Sequence, residues 1–255
     1  MSPHLQHYRV CEIEWSQSGQ HMQELETISN VHRTPPFPFC NRNRFKAVIF
    51  DWDGVLVDSA ENYRRAYEMV LRDAGACVTP REIYMREGQP TPQLLAALLA
   101  LRQVSATETQ IREMAERRRN YDAALGPREF FPGICDLLPA LRASGQKLAM
   151  VTGSSRRSVE LVLTPERECW FDIVITAGDV TRPKPDPQPF AFAAERLGVD
   201  PECCLVVENA PFGIQAAHLA GCRTIGICTT LGTEDLQGAD WIVQDHGELA
   251  RLLAS

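Results

Sequence analysis

The sequence predicts an α/β protein, a doubly wound and mostly parallel sheet with an all-helical cap domain inserted after its first strand. Short apolar, strand-like runs alternate with amphipathic helical segments through most of the chain from Phe45 onward, the pattern of a parallel sheet covered on both faces. The alternation fails between Glu61 and about Gly126, where only helix signatures occur. Polar residues of several chemical kinds follow the strand-like runs directly, and sheets of this class collect ligands at the carboxyl ends of their strands.

Residues 1–44 read as an extension and linker. They are rich in His, Gln, Ser and Asn and end in the proline-broken, basic "RTPPFPFCNRNR", so a partly disordered segment or amphipathic arm outside the main fold is expected. The alternation in "VCEIEW" (Val10–Trp15) allows an added edge strand instead. The α/β core is expected over 45–59 and 128–255, with the helical cap at 60–127. The core strands are expected at Lys46–Phe50, Lys147–Val151, Asp172–Thr176, Cys204–Val207, Thr224–Cys228 and Trp241–Val243. Ile134–Ala143 has apolar residues at helical spacing and stops at Gly145; Pro211–Ala220 opens on proline and stops at Gly221, the expected helix punctuation. Within the cap, three stripes mark helices: Tyr63, Ala66, Tyr67, Val70, Leu71 and Ala74; then Leu94, Leu95, Leu98, Leu99 and Leu101; then Ile111, Met114, Ala115, Tyr121 and Leu125. An insert at that point lies over the carboxyl edge of the sheet, a place suited to a lid.

Composition limits the function. The 255 residues, 44% hydrophobic and 23% charged, suffice for one large domain or a domain with an insert. A net charge of −7 argues against a nucleic-acid partner. "MSPHLQHYRVCEIEWSQ" lacks the apolar region of a secretory signal, and "LLAALLAL" is too short to span a bilayer. A cytoplasmic protein without membrane partner is expected. Nine cysteines without metal-ligand spacing fit buried thiols in a reducing compartment.

Four strand ends carry chemistry. Asp51, Asp53 and Gly54 follow the first; Thr152, Gly153, Ser154 and Ser155 the second; Lys184, between prolines, the third; Glu208 and Asn209 the fourth. Singly, each has a structural account: a solvated turn, a helix cap, a surface lysine, a strand-end charge. A parallel sheet brings all of them to one place. Two carboxylates on alternate positions suit a cation, a proton transfer or both.

In these stretches, "DWDGVLVDS", "VTGSS", "RPKPDP" and "VVENAPFGIQAAHLAG", the chain resembles the haloacid dehalogenase-like superfamily, in its branch with a helical cap on a Rossmann-like core. The resemblance covers roughly Phe45 to Ala254. It implies Asp51 as a nucleophile that forms an aspartyl phosphate and Asp53 as the acid and base for leaving alcohol and attacking water. Thr152 and backbone N–H groups near Gly153 and Ser154 are implied to hold phosphoryl oxygens, helped by a helix N-terminus, with Gly54 beside them. Lys184 would add positive charge. Mg²⁺ is implied at Asp51, the Asp53 carbonyl, Glu208 and Asn209.

Asn209 departs from the family pattern, which more often has a second acid there. Asp53 argues against haloalkanoic acid dehalogenases and phosphonoacetaldehyde hydrolases. Hexose-phosphate mutases such as β-phosphoglucomutase usually have a histidine where this chain has Tyr63, so hydrolysis of a small phosphate monoester, of the phosphoglycolate or sugar phosphate class, is favoured over the mutase. A phosphoryl-binding regulatory protein is the third reading, and the intact Asp51, Asp53, Thr152 and Lys184 speak against it. "MREGQPTPQLL" resembles a cap substrate loop, in which Arg86 could hold a substrate carboxylate or sugar hydroxyl. The expected partner is a small phosphorylated metabolite, bound by a monomer or homodimer.

Overall fold

The computed structural model describes residues 45–254; the expected extension, with its strand-like Val10–Trp15, lies outside the described residues. The described strands are β1 (Ala47–Phe50), β2 (Lys147–Val151), β3 (Ile173–Ile175), β4 (Cys204–Glu208), β5 (Arg223–Ile227) and β6 (Trp241–Val243). They form one sheet of order β3-β2-β1-β4-β5-β6, and every pairing is parallel. The chain leaves the central β1 towards β2 and β3, then returns to β4 on its other side. That reversal opens a crevice at the carboxyl end of β1.

The described helices are α1 (Ala60–Asp73), α2 (Pro80–Tyr84), α3 (Thr91–Leu101), α4 (Glu108–Ala124), α5 (Ile134–Ala143), α6 (Arg156–Val159), α7 (Pro165–Glu168), α8 (Gln188–Leu197), α9 (Pro211–Leu219) and α10 (His246–Ala254). β1 is buried along its whole length, and its side chains alternate between two apolar layers. Val48 and Phe50 pack with Ile134 and Leu138 of α5 and Leu249 and Leu253 of α10. Ala47 and Ile49 pack with Phe190 and Ala193 of α8 and Ala216 and Ala217 of α9.

Strand ends differ from expectation by about one residue, for local reasons. β3 is shorter than Asp172–Thr176 because Asp172 turns its carboxylate onto the Leu148 N–H (2.9 Å) and Thr176 bonds the Asp179 side chain (2.8 Å). β4 is longer by Glu208, which stands in the ladder opposite Gly226. The thiol expectation is corrected: Cys204 and Cys222 are buried, but Cys77, Cys135 and Cys169 are exposed and Cys203 and Cys228 half-buried. Of these, Cys203 and Cys228 still pack against apolar clusters of the core.

Helices α1 to α4 form the cap around Tyr67, Val70, Leu71, Leu94, Leu95, Leu98, Leu99 and Met114. Leu101, expected in this stripe, is 47% exposed at the last position of α3. Two capping boxes, Thr79 with Glu82 and Thr107 with Gln110, define the starts of α2 and α4. The cap docks on the core through α2. Its Tyr84 and the following Met85 pack with Ile214, Leu231 and Leu236, and Arg81 pairs with Asp235. No described helix is long and apolar enough to cross a membrane.

Candidate active site

The crevice is built outward from β1. Asp51, the first residue after the strand, is only 6% exposed, and its N–H continues the sheet by donating to the Val207 carbonyl at 3.0 Å. The chain then turns tightly, with the Gly54 N–H donating to the Val57 carbonyl at 2.9 Å. Asp53 is held at both oxygens. Ser59 Oγ donates to Oδ1 at 2.7 Å and Ser154 Oγ to Oδ2 at 2.6 Å. Its rotamer is therefore set by hydroxyls from two separate elements.

Lys184 arrives from the loop after β3, ahead of a cis peptide to Pro185. Its Nζ is buried and donates to Asp51 Oδ1 at 2.6 Å and to Glu208 Oε1 at 2.6 Å. Burial works against its charge, but the two carboxylates outweigh burial and hold the ammonium above the usual lysine range. Burial pushes the Asp51 carboxyl up and Lys184 opposes that shift.

Glu208 Oε2 accepts from the N–H groups of Asn209 (3.1 Å) and Ala210 (3.4 Å). A Cβ on Gly213 of α9 would lie 1.9 Å from Glu208 Oε1. Gly213 is thus the space in which that carboxylate sits, a role the sequence reading did not assign. A glycine inside a helix costs about 1 kcal/mol relative to alanine, and that misfit is the sequence signal for a close approach. Gly213→Ala is expected to destabilise the fold by about 1–3 kcal/mol net and to lower turnover by displacing Glu208. Thermal unfolding and a phosphatase assay check this; an unchanged midpoint with unchanged turnover would refute it.

Gly54 has φ +75, and a Cβ there would stand 2.3 Å from Asn209 Nδ2. Its N–H is spent on Val57, so what it supplies here is conformational freedom and room for Asn209. Thr152 is buried, and its Oγ1 accepts from the Ser154 N–H at 2.9 Å. Gly153 brings the backbone close to the cap, the Gly88 carbonyl lying 3.8 Å from the position of a Cβ. The helix expected behind these residues is the four-residue α6, so its dipole is that of a single turn and weaker than expected.

The structure brings Asp51, Asp53, Thr152, Gly153, Ser154, Lys184, Glu208 and Asn209 to one crevice; Arg86 behaves differently. Its Nη1 donates to the Glu82 carbonyl at 3.2 Å, back onto its own helix. The neighbouring Glu87 points inward instead. It is 5% exposed, and its Oε2 accepts from Asn209 Nδ2 at 3.0 Å. Burial, then the charges of Asp51, Asp53 and Glu208, raise its carboxyl well above the usual range. Arg118 of α4 lies over the rings of Tyr63 (5.0 Å) and Tyr67 (4.7 Å), beside Asp122 at 3.8 Å. Sequence reasoning gave Ser59 and Gly213 no role and read Glu87 only as part of a polar loop; it took "ERRRNYD" as a solvated helix face that could steer anions, whereas its Arg118 packs against Tyr63 and Tyr67.

The donor set suits a hard cation. Asn209 Oδ1 and Glu87 Oε1 are buried oxygens without a hydrogen-bond partner, next to three further carboxylates. Among the described residues no three acidic, His or Cys side chains already converge as a ligand set.

Comparison with known proteins agrees with this geometry. The chain is 31% identical over 208 residues to validoxylamine A 7'-phosphate phosphatase of Streptomyces hygroscopicus subsp. limoneus, covering 80% of this chain and 96% of the relative. It is 31% identical over 186 residues to fructose-1-phosphate phosphatase YqaB of Escherichia coli K12, covering 72% and 97%. The structure of CbbY from Rhodobacter sphaeroides in complex with phosphate superposes with a TM-score of 0.67 at 25% identity, covering 83% of this chain and 100% of that one. The family model for haloacid dehalogenase-like hydrolases matches residues 45–221. Four strand ends meeting at a buried Asp–Lys–Glu cluster beneath a helical cap, together with that match, place this chain among the haloacid dehalogenase-like hydrolases, enzymes acting on a small phosphate ester.

Proposed function

We propose that the protein is a magnesium-dependent phosphatase that hydrolyses a small sugar phosphate through an aspartyl phosphate on Asp51. The observation that carries this reading is the pairing of Asp51 with Lys184 while Asp53, two residues on, is clamped by Ser59 and Ser154. Lys184 offsets part of the burial and carboxylate repulsion that push the Asp51 carboxyl up, and screens its approach to an anionic phosphate. Asp53, fixed in position, hands a proton to the leaving alcohol and then takes one from the water that cleaves the acyl phosphate. Thr152 and the backbone at Gly153 and Ser154 bound the phosphoryl oxygens. Asp51, the Asp53 carbonyl, Glu208 and Asn209 would hold Mg²⁺, which supplies charge neutralisation between nucleophile and phosphate. The cap, 60–127, covers the ester and chooses the alcohol.

One observation favours a sugar phosphate over phosphoglycolate. Arg86, the group suited to a substrate carboxylate, is turned onto the Glu82 carbonyl, and Arg118 is engaged by Asp122 and two tyrosine faces. Relatives of 31–33% identity bear names of both classes, carbohydrate phosphate phosphatases and phosphoglycolate phosphatases. The test is phosphate release from a panel including fructose 1-phosphate, glucose 6-phosphate, β-glucose 1-phosphate, phosphoglycolate and p-nitrophenyl phosphate. Turnover is expected with Mg²⁺, lost in chelator and restored by the ion, with sugar phosphates ahead of phosphoglycolate. Chelator-resistant turnover would defeat the metal assignment, and isomerised sugar phosphate without matching phosphate release would make the protein a mutase.

A further inference from the structure

We propose that His246, the first residue of α10, is a positioning residue for catalysis: it holds the turn that carries Asp53 and steadies both linkers between cap and core. This rests on the reading of Asp53 as acid and base above. Asp53 sits in the turn between β1 and α1, where the Trp52 carbonyl accepts from the N–H groups of Leu56 and Val57, both at 3.0 Å. The carbonyls of Gly54 and Val55 are met from outside, by side chains remote in sequence. Thr229 Oγ1, just after β5, donates to the Gly54 carbonyl at 2.6 Å. His246 Nε2 lies 2.7 Å from the Val55 carbonyl. A carbonyl can only accept, so Nε2 carries the proton and donates. Val55 is wholly buried, and without this donor its carbonyl would lose its partner where water cannot replace it.

The imidazole serves both linkers at once. The outgoing chain passes through Val55 and the returning chain through Phe131, whose ring stacks on His246 with centroids 4.1 Å apart and planes inclined by 24°. The linkers are paired to each other: the Phe131 N–H donates to the Leu56 carbonyl and the Asp58 N–H to the Glu129 carbonyl, each at 2.9 Å. His246 is itself fixed by the capped start of α10. Asp245 Oδ1 accepts from the Glu248 N–H at 2.7 Å, and Glu248 Oε2 from the Gln244 N–H at 2.8 Å. Leu249 and Leu253 root that helix in the core. Through one ring, a rigid core helix therefore reaches the turn that aims Asp53 and the chain from which the cap hangs. Ser59 and Ser154 fix the Asp53 carboxylate; His246 and Thr229 fix the main chain beneath it.

The competing account is a hydrogen bond that serves stability alone. His246→Phe keeps a ring against Phe131 and removes the donor, whereas His246→Gln restores a donor of similar reach. The full chain is assayed on p-nitrophenyl phosphate with Mg²⁺. In His246→Phe, kcat is expected to fall about tenfold while kcat/KM changes by less than about threefold. The reason is that kcat/KM reports the first phosphoryl transfer, in which p-nitrophenol leaves without a proton, and kcat includes the hydrolysis that uses Asp53 as base. His246→Gln should recover most of the loss. Hydrogen exchange supplies a second measurement, independent of activity. Amides in 54–59 and 129–131 should exchange faster in His246→Phe, with those of β1, β2 and β4 protected as in wild type. Wild-type kcat in His246→Phe, no recovery in His246→Gln, or faster exchange spread evenly over the sheet overturns the proposal. Phosphate release by wild type beside any of these results leaves the phosphatase reading standing; wild type that releases no phosphate from any ester overturns both.

Discussion

Asp51→Asn is expected to lower phosphate release by about 10⁴-fold or more while leaving the fold intact, the largest effect of any single change here. The amide cannot attack phosphorus, yet its carbonyl oxygen still accepts from Lys184, and Lys184 keeps its 2.6 Å bond to Glu208. The buried cluster therefore stays paired and the unfolding midpoint should change little. Asp53→Asn should fail differently. It can still take one phosphoryl group from p-nitrophenyl phosphate, whose leaving group needs no proton, and then stall before hydrolysis. Rapid mixing would show this as a burst without steady turnover. An Asp51→Asn enzyme with near-wild-type rates would end the aspartyl-phosphate mechanism.

Lys184→Met should strike both stability and turnover. It leaves Asp51 and Glu208, 6% and 1% exposed, side by side without their shared ammonium. Breaking a buried ion pair from one side costs about 3–5 kcal/mol, a fall in midpoint on the order of 10 °C for a chain of this size. Turnover should fall by about 10²–10³-fold, the range seen when one charge-stabilising group is lost from an active site. Added Mg²⁺ should narrow the stability gap from wild type, because the ion replaces part of the missing positive charge. An unchanged midpoint without Mg²⁺ would show that the carboxylates are not held by this lysine.

What the sequence by itself determined is the architecture and the main polar cast. Strand-like runs separated by helix punctuation, interrupted once by purely helical periodicity, are local signals, and each persists in the folded chain. The residues after β1, β2, β3 and β4 were legible for a topological reason. A parallel sheet sends every one of those ends to the same edge, so chain order alone predicts that they meet.

Tertiary structure decided the rest, because these relations join residues distant in sequence. Nothing local to "APFGIQ" says that the missing Cβ of Gly213 makes room for the Glu208 carboxylate. Ser59 and Ser154 grip the same aspartate from positions 95 residues apart, by their numbering in the chain. In the cap loop, sequence singled out Arg86 from among the polar residues that also include Glu87 and Gln89. Helix α2, anchored by Arg81 and Tyr84, turns Arg86 back onto the Glu82 carbonyl and sets Glu87 in the crevice beside Asn209. Sequence names which side chains can do chemistry, since that depends on their own atoms. Which of them is buried, paired or left with an unsatisfied oxygen depends on the neighbours that packing supplies.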